Sequence, residues 1–285
     1  MRRWADILGL TVLLAAVLIG ALLDGAAPPG TEPVAVSEFA TSSVRRPLPT
    51  APAANSPLPP PSAGDPKGRM EIGPKHNVAG TAFPVAVGVW MTARHVGDGC
   101  SEISIETEPH FLAPGHDVLL HDNADLAVFH APVNAAPVAA GGQDLRVGQD
   151  GYHLGFPKGQ FGTVRSQLLG RATITISGRF SARAPVLSWA KVERFPAREG
   201  RLSGISGGPV FDADGRLVGV TIAEAPRRGR VTTAAPESIR ELSERAGVVP
   251  AEAGVVPPLE HATYGAIAER LRADLIVARV ICRVR

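Results

Sequence analysis

The feature of this sequence that most constrains its fold is a series of short apolar segments, rich in Val, Ile and Thr, between residues 83 and 223. Gly, Pro, Asp and Asn separate these segments, which is typical of strands joined by tight turns. Many closely spaced strands predict an all-β sandwich or barrel rather than an α/β fold. The candidate strands are 83–92, 102–107, 117–121, 125–130, 151–156, 163–177, 186–192 and 216–223.

The beginning of the chain carries an uncharged apolar run, residues 7–23, preceded by two arginines. This run is just long enough for a transmembrane helix. We expect residues 1–25 to be a single-pass anchor of the inner membrane, with the remaining chain on the periplasmic side. A cleaved signal peptide, which would give a secreted protein, is the alternative, but Pro28 directly after a cut at Ala27 disfavours cleavage.

Three further regions follow the predicted anchor. Residues 26–69 are rich in Pro, Ala and Ser and hold few large apolar side chains, so we expect a disordered linker. Residues 70–246 contain the predicted strands and form the expected folded domain. Residues 247–285 are expected to be a C-terminal extension with a helix and a strand. Alternating apolar and basic residues at its end predict a half-buried strand in which Cys282 points inward.

Composition excludes several classes of function. The formal net charge is only +2, and the basic residues are scattered, so nucleic acid is not an expected partner. A group of histidines and aspartates lies within one short stretch, namely His110, His116, Asp117, His121, Asp122 and His130. Their spacing fits no compact zinc pattern, so we interpret them as surface or loop residues. No metal or organic cofactor is predicted.

The strongest chemical signal is a glycine-rich segment around Ser206, with the sequence GISGGP over residues 204–209. A serine hydroxyl is a weak nucleophile and needs both a base and backbone donors for the oxyanion. Glycines allow the backbone angles that such a site requires. We therefore predict that the N–H groups of Gly204 and Ser206 form an oxyanion hole. Taken alone, the segment could equally be a flexible turn.

Two other segments supply the missing groups. The first long strand ends in TARHV with His95, and NADLAVF begins another strand with Asp125. The order His, Asp, Ser matches the chymotrypsin-type triad and excludes the subtilisin and α/β-hydrolase orders. Asp122 competes for the role of the carboxylate, but Asp125 is favoured because it directly opens an apolar strand.

These motifs resemble the trypsin-like serine peptidase family over about residues 80–223, and DLAVF and GISGGP are similar to its bacterial Deg/HtrA-like branch. The resemblance implies two β-barrels of the chymotrypsin type with the active site between them. It implies that His95 is the general base and Asp125 its orienting carboxylate, both from the first barrel. Ser206, from the second barrel, would be the nucleophile.

The same resemblance implies a primary specificity pocket walled by Thr221, Ile222 and Ala223. These positions place no acidic residue at the pocket base, so we expect small or aliphatic residues before the scissile bond. The segment after Ser206 is too short for the second barrel and a PDZ domain together. We therefore expect the Deg/HtrA-like protease domain without PDZ. The sequence carries no signal for the oligomeric state.

The sequence also departs from the family pattern. Ile205 replaces the aspartate that pairs with a newly cut N-terminus in trypsin, so we expect activity without zymogen cleavage. Val96 replaces the cysteine of the usual TAxHC motif, which removes a familiar disulfide. Cys100 and Cys282 could pair instead in an oxidising compartment, and two unpaired thiols are the alternative.

The predicted function is a serine endopeptidase that cleaves exported or periplasmic proteins and peptides through an acyl-enzyme intermediate. One alternative is a catalytically inactive trypsin-fold protein that serves as a binding or scaffold module at the membrane. Another is an esterase or acyltransferase that uses the same site.

Overall fold

The structure, a computed structural model, describes residues 54–142, 144–249, 251 and 254–285. The predicted membrane anchor, residues 1–25, and the linker residues 26–53 lie outside these ranges. Within the described ranges, no helix is long and apolar enough to cross a membrane.

Strands dominate the described residues. The strands are β1 Lys67–Ile72, β2 Val78–Ala86, β3 Val89–Thr92, β4 Glu102–Glu108, β5 Phe111–Leu120, β6 Ala127–His130, β7 Asp150–Gly155, β8 Gly162–Gly178, β9 Ala182–Phe195, β10 Pro209–Phe211, β11 Leu217–Ala225, β12 Arg230–Ala234 and β13 Ala278–Arg283. The helices are α1 Arg94–Gly97, α2 Pro236–Arg245 and α3 Tyr264–Ala273. The prediction of a mostly β chain is confirmed.

The first barrel is closed and contains strands from both halves of the chain, in the order β13-β2-β3-β6-β5-β4. The last strand, β13, lies antiparallel between β2 and β4, with Val280 opposite both Gly80 and Ile105. Cys282 is completely buried, as the alternation in the sequence predicts. The C-terminal region is therefore not an appendage, because its strand closes the barrel.

The remaining strands form a second sheet in the order β1-β8-β7-β10-β11-β12-β9, and β8 pairs with β9 as well. Strands β8 and β9 make a hairpin of 17 and 14 residues that is paired from Thr163 opposite Phe195 to Ile176 opposite Ala182. The turn of this hairpin carries Phe180, which is buried in the main hydrophobic core. The hairpin therefore reaches beyond its own sheet.

The predicted linker boundary at residue 69 is too late in the chain. The N–H of Asn55 donates to the carbonyl of Val147 at 2.7 Å, and the N–H of Leu58 donates to Leu145 at 2.7 Å. Leu58 is buried in a core cluster of the second sheet, and β1 pairs in parallel with β8. Low apolar content predicts disorder, but one leucine and a few backbone hydrogen bonds hold residues 54–69 because a complete sheet lies beside them.

Candidate active site

His95 and Asp125 meet because the strands beside them are neighbours. β3 pairs with β6 so that Thr92 lies opposite Ala127; His95 follows the first strand on α1, and Asp125 precedes the second. His95 Nδ1 lies 2.6 Å from Asp125 Oδ2, and the His95 backbone N–H donates to Asp125 Oδ1 at 2.8 Å. The carboxylate therefore fixes the imidazole through Nδ1. Nε2 is then the nitrogen that can accept a proton from a serine hydroxyl.

The turn before Asp125 is held by His121. His121 is only 2 % exposed, and its Nδ1 accepts the N–H groups of Asn123 and Ala124, each at 3.1 Å. Burial lowers the pKa of His121, which favours the neutral ring that can accept these hydrogen bonds. The grouping of His121 with surface or loop histidines missed this role, since sequence spacing does not show burial.

Asp122, the competing carboxylate, forms an ion pair with Arg245. Its Oδ2 lies 3.1 Å from Arg245 Nη1, and its side chain is largely exposed. Asp125 is 1 % exposed and bonded to His95 through both carboxylate oxygens. Of the two candidate carboxylates, Asp125 is therefore the one that contacts His95.

Ser206 lies on a turn that is fixed by backbone hydrogen bonds to β11. The N–H of Gly207 donates to the carbonyl of Thr221 at 2.8 Å, and the N–H of Thr221 donates to Gly208 at 2.8 Å. The carbonyl of Ser206 accepts the N–H of Thr81 on β2 at 2.8 Å. The turn is thus attached to the second sheet and to the first barrel at once.

Two glycines bring the Ser206 turn against the region that carries His95. A Cβ at Gly80 would lie 2.9 Å from the Ser206 carbonyl oxygen and 2.8 Å from a methyl group of Val96. A Cβ at Gly207 would overlap the Thr81 carbonyl and lie 2.8 Å from the backbone nitrogen of Ala93. The turn therefore packs beside α1, although in the described residues no hydrogen bond joins the Ser206 hydroxyl to His95.

The N–H groups of the two predicted oxyanion donors make no hydrogen bond within the described residues. The N–H groups of Ile205, Gly207 and Gly208 all donate to backbone carbonyls. Among the residues that the structure describes, those of Gly204 and Ser206 have no acceptor. Gly204 has a φ of +100°, and its carbonyl accepts the Thr81 hydroxyl at 2.8 Å. The two free donors lie on either side of the paired N–H of Ile205, and backbone donors of this kind can stabilise an oxyanion.

The predicted pocket residues lie together on β11, and Thr221 has a partner that the sequence did not indicate. Thr221 and Ile222 are buried, whereas Ala223 is half-buried. The Thr221 hydroxyl lies 3.0 Å from Nδ1 of His153, whose Nε2 lies 2.7 Å from the Ser166 hydroxyl. His153 is fully buried, and this burial lowers its pKa to about 3. The neutral ring therefore holds the Thr221 side chain through its hydroxyl. In the sequence, this contact is indicated only by one histidine within an apolar strand.

The two cysteines are joined by a disulfide in the structure, with their Cα atoms 5.4 Å apart. Cys100 follows α1, and Cys282 lies on β13. The disulfide therefore connects the loop after the His95 helix to the strand that closes the first barrel.

Comparisons with known proteins identify a family for the central part of the chain. A family model described as the trypsin-like peptidase domain matches residues 80–220. The comparison with curated proteins found no match. Among solved structures, the active form of the Rv3671c protease from M. tuberculosis is 19 % identical, with a TM-score of 0.49, over 62 % of this chain and 78 % of that chain.

Two further solved structures show a similar degree of likeness. The inactive form of the Rv3671c protease is 18 % identical, with a TM-score of 0.49, over 60 % of this chain and 84 % of that one. The HtrA-type protease AlgW with a decapeptide is 17 % identical, with a TM-score of 0.46, over 59 % of this chain and 51 % of that one. By its family match, the chain carries a trypsin-like peptidase domain, the domain of a serine endopeptidase.

Proposed function

We propose that His95, Asp125 and Ser206 are the catalytic triad of this endopeptidase, in a cleft between the first barrel and the second sheet, and that the two together form a chymotrypsin-type pair of barrels. The observation that carries the proposal is the His95–Asp125 pair, with Nδ1 2.6 Å from a buried carboxylate oxygen, beside a glycine turn that leaves two N–H groups free.

The proposed reaction follows from these positions. As the Ser206 hydroxyl oxygen attacks the scissile carbonyl carbon, its proton passes to Nε2 of His95. Asp125 stabilises the imidazolium through Nδ1, and the N–H groups of Gly204 and Ser206 receive the oxyanion. His95 then gives the proton to the leaving amine. Water repeats the sequence on the acyl-enzyme and restores Ser206.

The proposed substrates are exported or periplasmic proteins and peptides. The disulfide supports an oxidising compartment, and the apolar run at residues 7–23 supports a membrane anchor. None of the three proposed pocket residues, Thr221, Ile222 and Ala223, is acidic, which supports a preference for small or aliphatic residues.

A fluorophosphonate probe tests the nucleophile. We expect labelling of the wild type, complete loss in Ser206→Ala, and retained labelling in Ser203→Ala, a matched control whose exposed serine lies on the same turn. A peptide-library digest then measures endopeptidase cleavage and its preference together. Labelling that persists in Ser206→Ala, or a folded wild type that is never labelled, would refute the proposed triad.

A further inference from the structure

The helix that carries His95 is too short to satisfy its own carbonyl groups. α1 has four residues, and the N–H of Asp98 donates to the Arg94 carbonyl at 2.8 Å. The next two carbonyls accept side chains from distant parts of the chain. Arg179 Nη2 donates to the His95 carbonyl at 2.8 Å, and Lys75 Nζ donates to the Val96 carbonyl at 2.9 Å. Such charge-assisted hydrogen bonds are stronger than neutral ones.

Arg179 belongs to the tip of the long β8–β9 hairpin, which we define as residues 178–180. Its Nε lies 3.7 Å from the carboxylate of Asp98, directly after α1. These two side chains are only 19 % and 22 % exposed, so water screens the contact incompletely. The second sheet thus reaches the backbone of the proposed catalytic histidine through one arginine.

The hairpin tip also contacts the part of the site that carries Asp125. The guanidinium carbon of Arg94 lies 4.1 Å from the centre of the Phe180 ring, which is a favourable cation–π distance. Arg94 in turn donates to the carbonyl of His121 at 2.8 Å. Since His121 holds the turn before Asp125, Phe180 braces that turn through Arg94.

The tip itself is fixed by β1. The N–H of Arg179 donates to the carbonyl of Ile72 at 3.1 Å. Gly178 has a φ of +101°, and a Cβ there would overlap the same carbonyl. The end of β1 and the hairpin tip therefore form one unit that packs on α1.

We propose that the hairpin tip aligns the catalytic base with the nucleophile, with Arg179 as the main positioning residue and Lys75 as a second one. The inference rests on the proposed function of His95. A one-turn helix cannot hold its own orientation, whereas the hairpin extends from the sheet that positions Ser206. Arg179 therefore holds the His95 helix in a fixed position relative to the sheet that carries Ser206.

The experiment compares Arg179→Met, which removes the donors and keeps an apolar stem, with Arg183→Met, a matched control with an exposed arginine on the same hairpin. We expect kcat to fall about 10- to 100-fold in Arg179→Met, because small misplacements of reacting groups have effects of that size. KM for a peptide substrate should change little. Arg179→Lys should recover part of kcat, and Arg183→Met should equal the wild type.

An NMR measurement separates this inference from the proposed triad. The ring signals of His95 should shift in Arg179→Met and not in Arg183→Met, whether or not the wild type is labelled by the fluorophosphonate. Unchanged His95 signals together with wild-type kcat in Arg179→Met would overturn the positioning role. An equal loss of kcat in both variants would overturn it as well. Absence of wild-type labelling would instead refute the triad.

A second inference comes from an independent cluster on the first barrel. His116 on β5 and His130 on β6 are direct cross-strand partners, and their rings stack with centroids 5.6 Å apart. A carboxylate oxygen of Asp117 lies 2.8 Å from His116 Nδ1. One ligand atom from each of these three residues lies within 4.8 Å of the other two. The sequence spacing hid this group, because a strand pairing brings it together.

The local backbone places Asp117 beside the two histidines. The register of β5 and β6 shifts between His116 and Leu119, and Asp117 has a φ of +52°, which is uncommon for a residue other than glycine. Two imidazoles and one carboxylate form a donor set that suits Zn²⁺ and leaves positions for water. We infer that His116, Asp117 and His130 form a surface site for Zn²⁺.

Calorimetric titration of the full chain with Zn²⁺ tests this site. We expect the affinity to fall at least about tenfold in His116→Ala and in His130→Ala, and less in Asp117→Asn. His110→Ala, which removes a neighbouring exposed histidine, should bind as the wild type does. Equal Zn²⁺ affinity in the wild type and in the His116→Ala, His130→Ala double variant would overturn the site.

Discussion

The two halves of the proposed active site are built by different means. In the first barrel, side-chain hydrogen bonds position the residues. His95 is fixed by both carboxylate oxygens of Asp125, and His121 holds the turn before that carboxylate. In the second sheet, the backbone positions the nucleophile candidate, because the Ser206 turn is held by main-chain hydrogen bonds and by glycines in close contacts. The first half should therefore be sensitive to charge, and the second to any added side-chain volume.

Each of these two regions contains a strand from the opposite end of the described chain. β13, the last strand, closes the first barrel, and β1, the first described strand, extends the second sheet beside β8. The tip of the β8–β9 hairpin then returns to α1 through Arg179. Each half of the proposed site is consequently supported by segments that lie far from its candidate catalytic residues in the sequence.

The largest effect should come from the charged half. Asp125→Asn keeps the size of the side chain but removes the charge that stabilises the imidazolium and selects its tautomer. We expect kcat for a peptide substrate to fall by about four orders of magnitude, as in triads of this type. Circular dichroism should show an unchanged fold. Asp122→Asn is the matched control, and an activity equal to that of Asp125→Asn would remove the distinction between the two carboxylates.

The closure of the first barrel by β13 should depend on the disulfide. Cys100 and Cys282 are separated by 182 residues, and crosslinks across long loops restrict the unfolded chain most. We expect the Cys100→Ser, Cys282→Ser double variant to lose about 2–5 kcal/mol of unfolding free energy in urea. Reductant should destabilise the wild type to the same level and leave the variant unchanged. Two thiols alkylated in the unreduced wild type would contradict the bridge.

The backbone half should respond to one added methyl group. Gly207 has a φ of +86°, and a Cβ would collide with the backbone of Thr81 and Ala93. We expect Gly207→Ala to lose about 1–3 kcal/mol of stability and most of its fluorophosphonate labelling, because the Ser206 turn must move. Gly73→Ala, with open space around the position, is the control. A fully active Gly207→Ala would show that the turn tolerates displacement.

The sequence identifies the catalytic candidates because their signals are local. His95 and Asp125 stand at the ends of apolar strands, and the glycines around Ser206 mark a turn with unusual backbone angles. Each signal is readable within a few residues. The pairing of His95 with Asp125 then follows from two adjacent antiparallel strands.

The long-range parts of the structure could not be predicted in this way. Alternation in the last strand predicts a buried face for Cys282 but not that β2 and β4 are its partners. Nothing local to Arg179 indicates that its partner is a backbone carbonyl on α1. A proline-rich composition predicts no core for residues 54–69, yet the neighbouring sheet orders them. These features depend on surfaces that exist only after the rest of the chain has folded.

The smallest effect tests the support behind β11. Burial lowers the pKa of His153 to about 3 in the folded protein, whereas an unfolded histidine titrates near about 6.5. Above that pH both states are neutral and stability is complete. As the pH falls from about 6.5 toward 3, only the unfolded chain gains the proton, so unfolding should become easier by up to about 1.4 kcal/mol per pH unit.

Urea unfolding at several pH values measures this slope, and His153→Gln, which cannot take up the proton, should flatten it. An equal flattening in His76→Gln, an exposed control, or no flattening in His153→Gln would assign the acid sensitivity to other groups, whereas a flattening confined to His153→Gln assigns it to the buried ring that contacts Thr221.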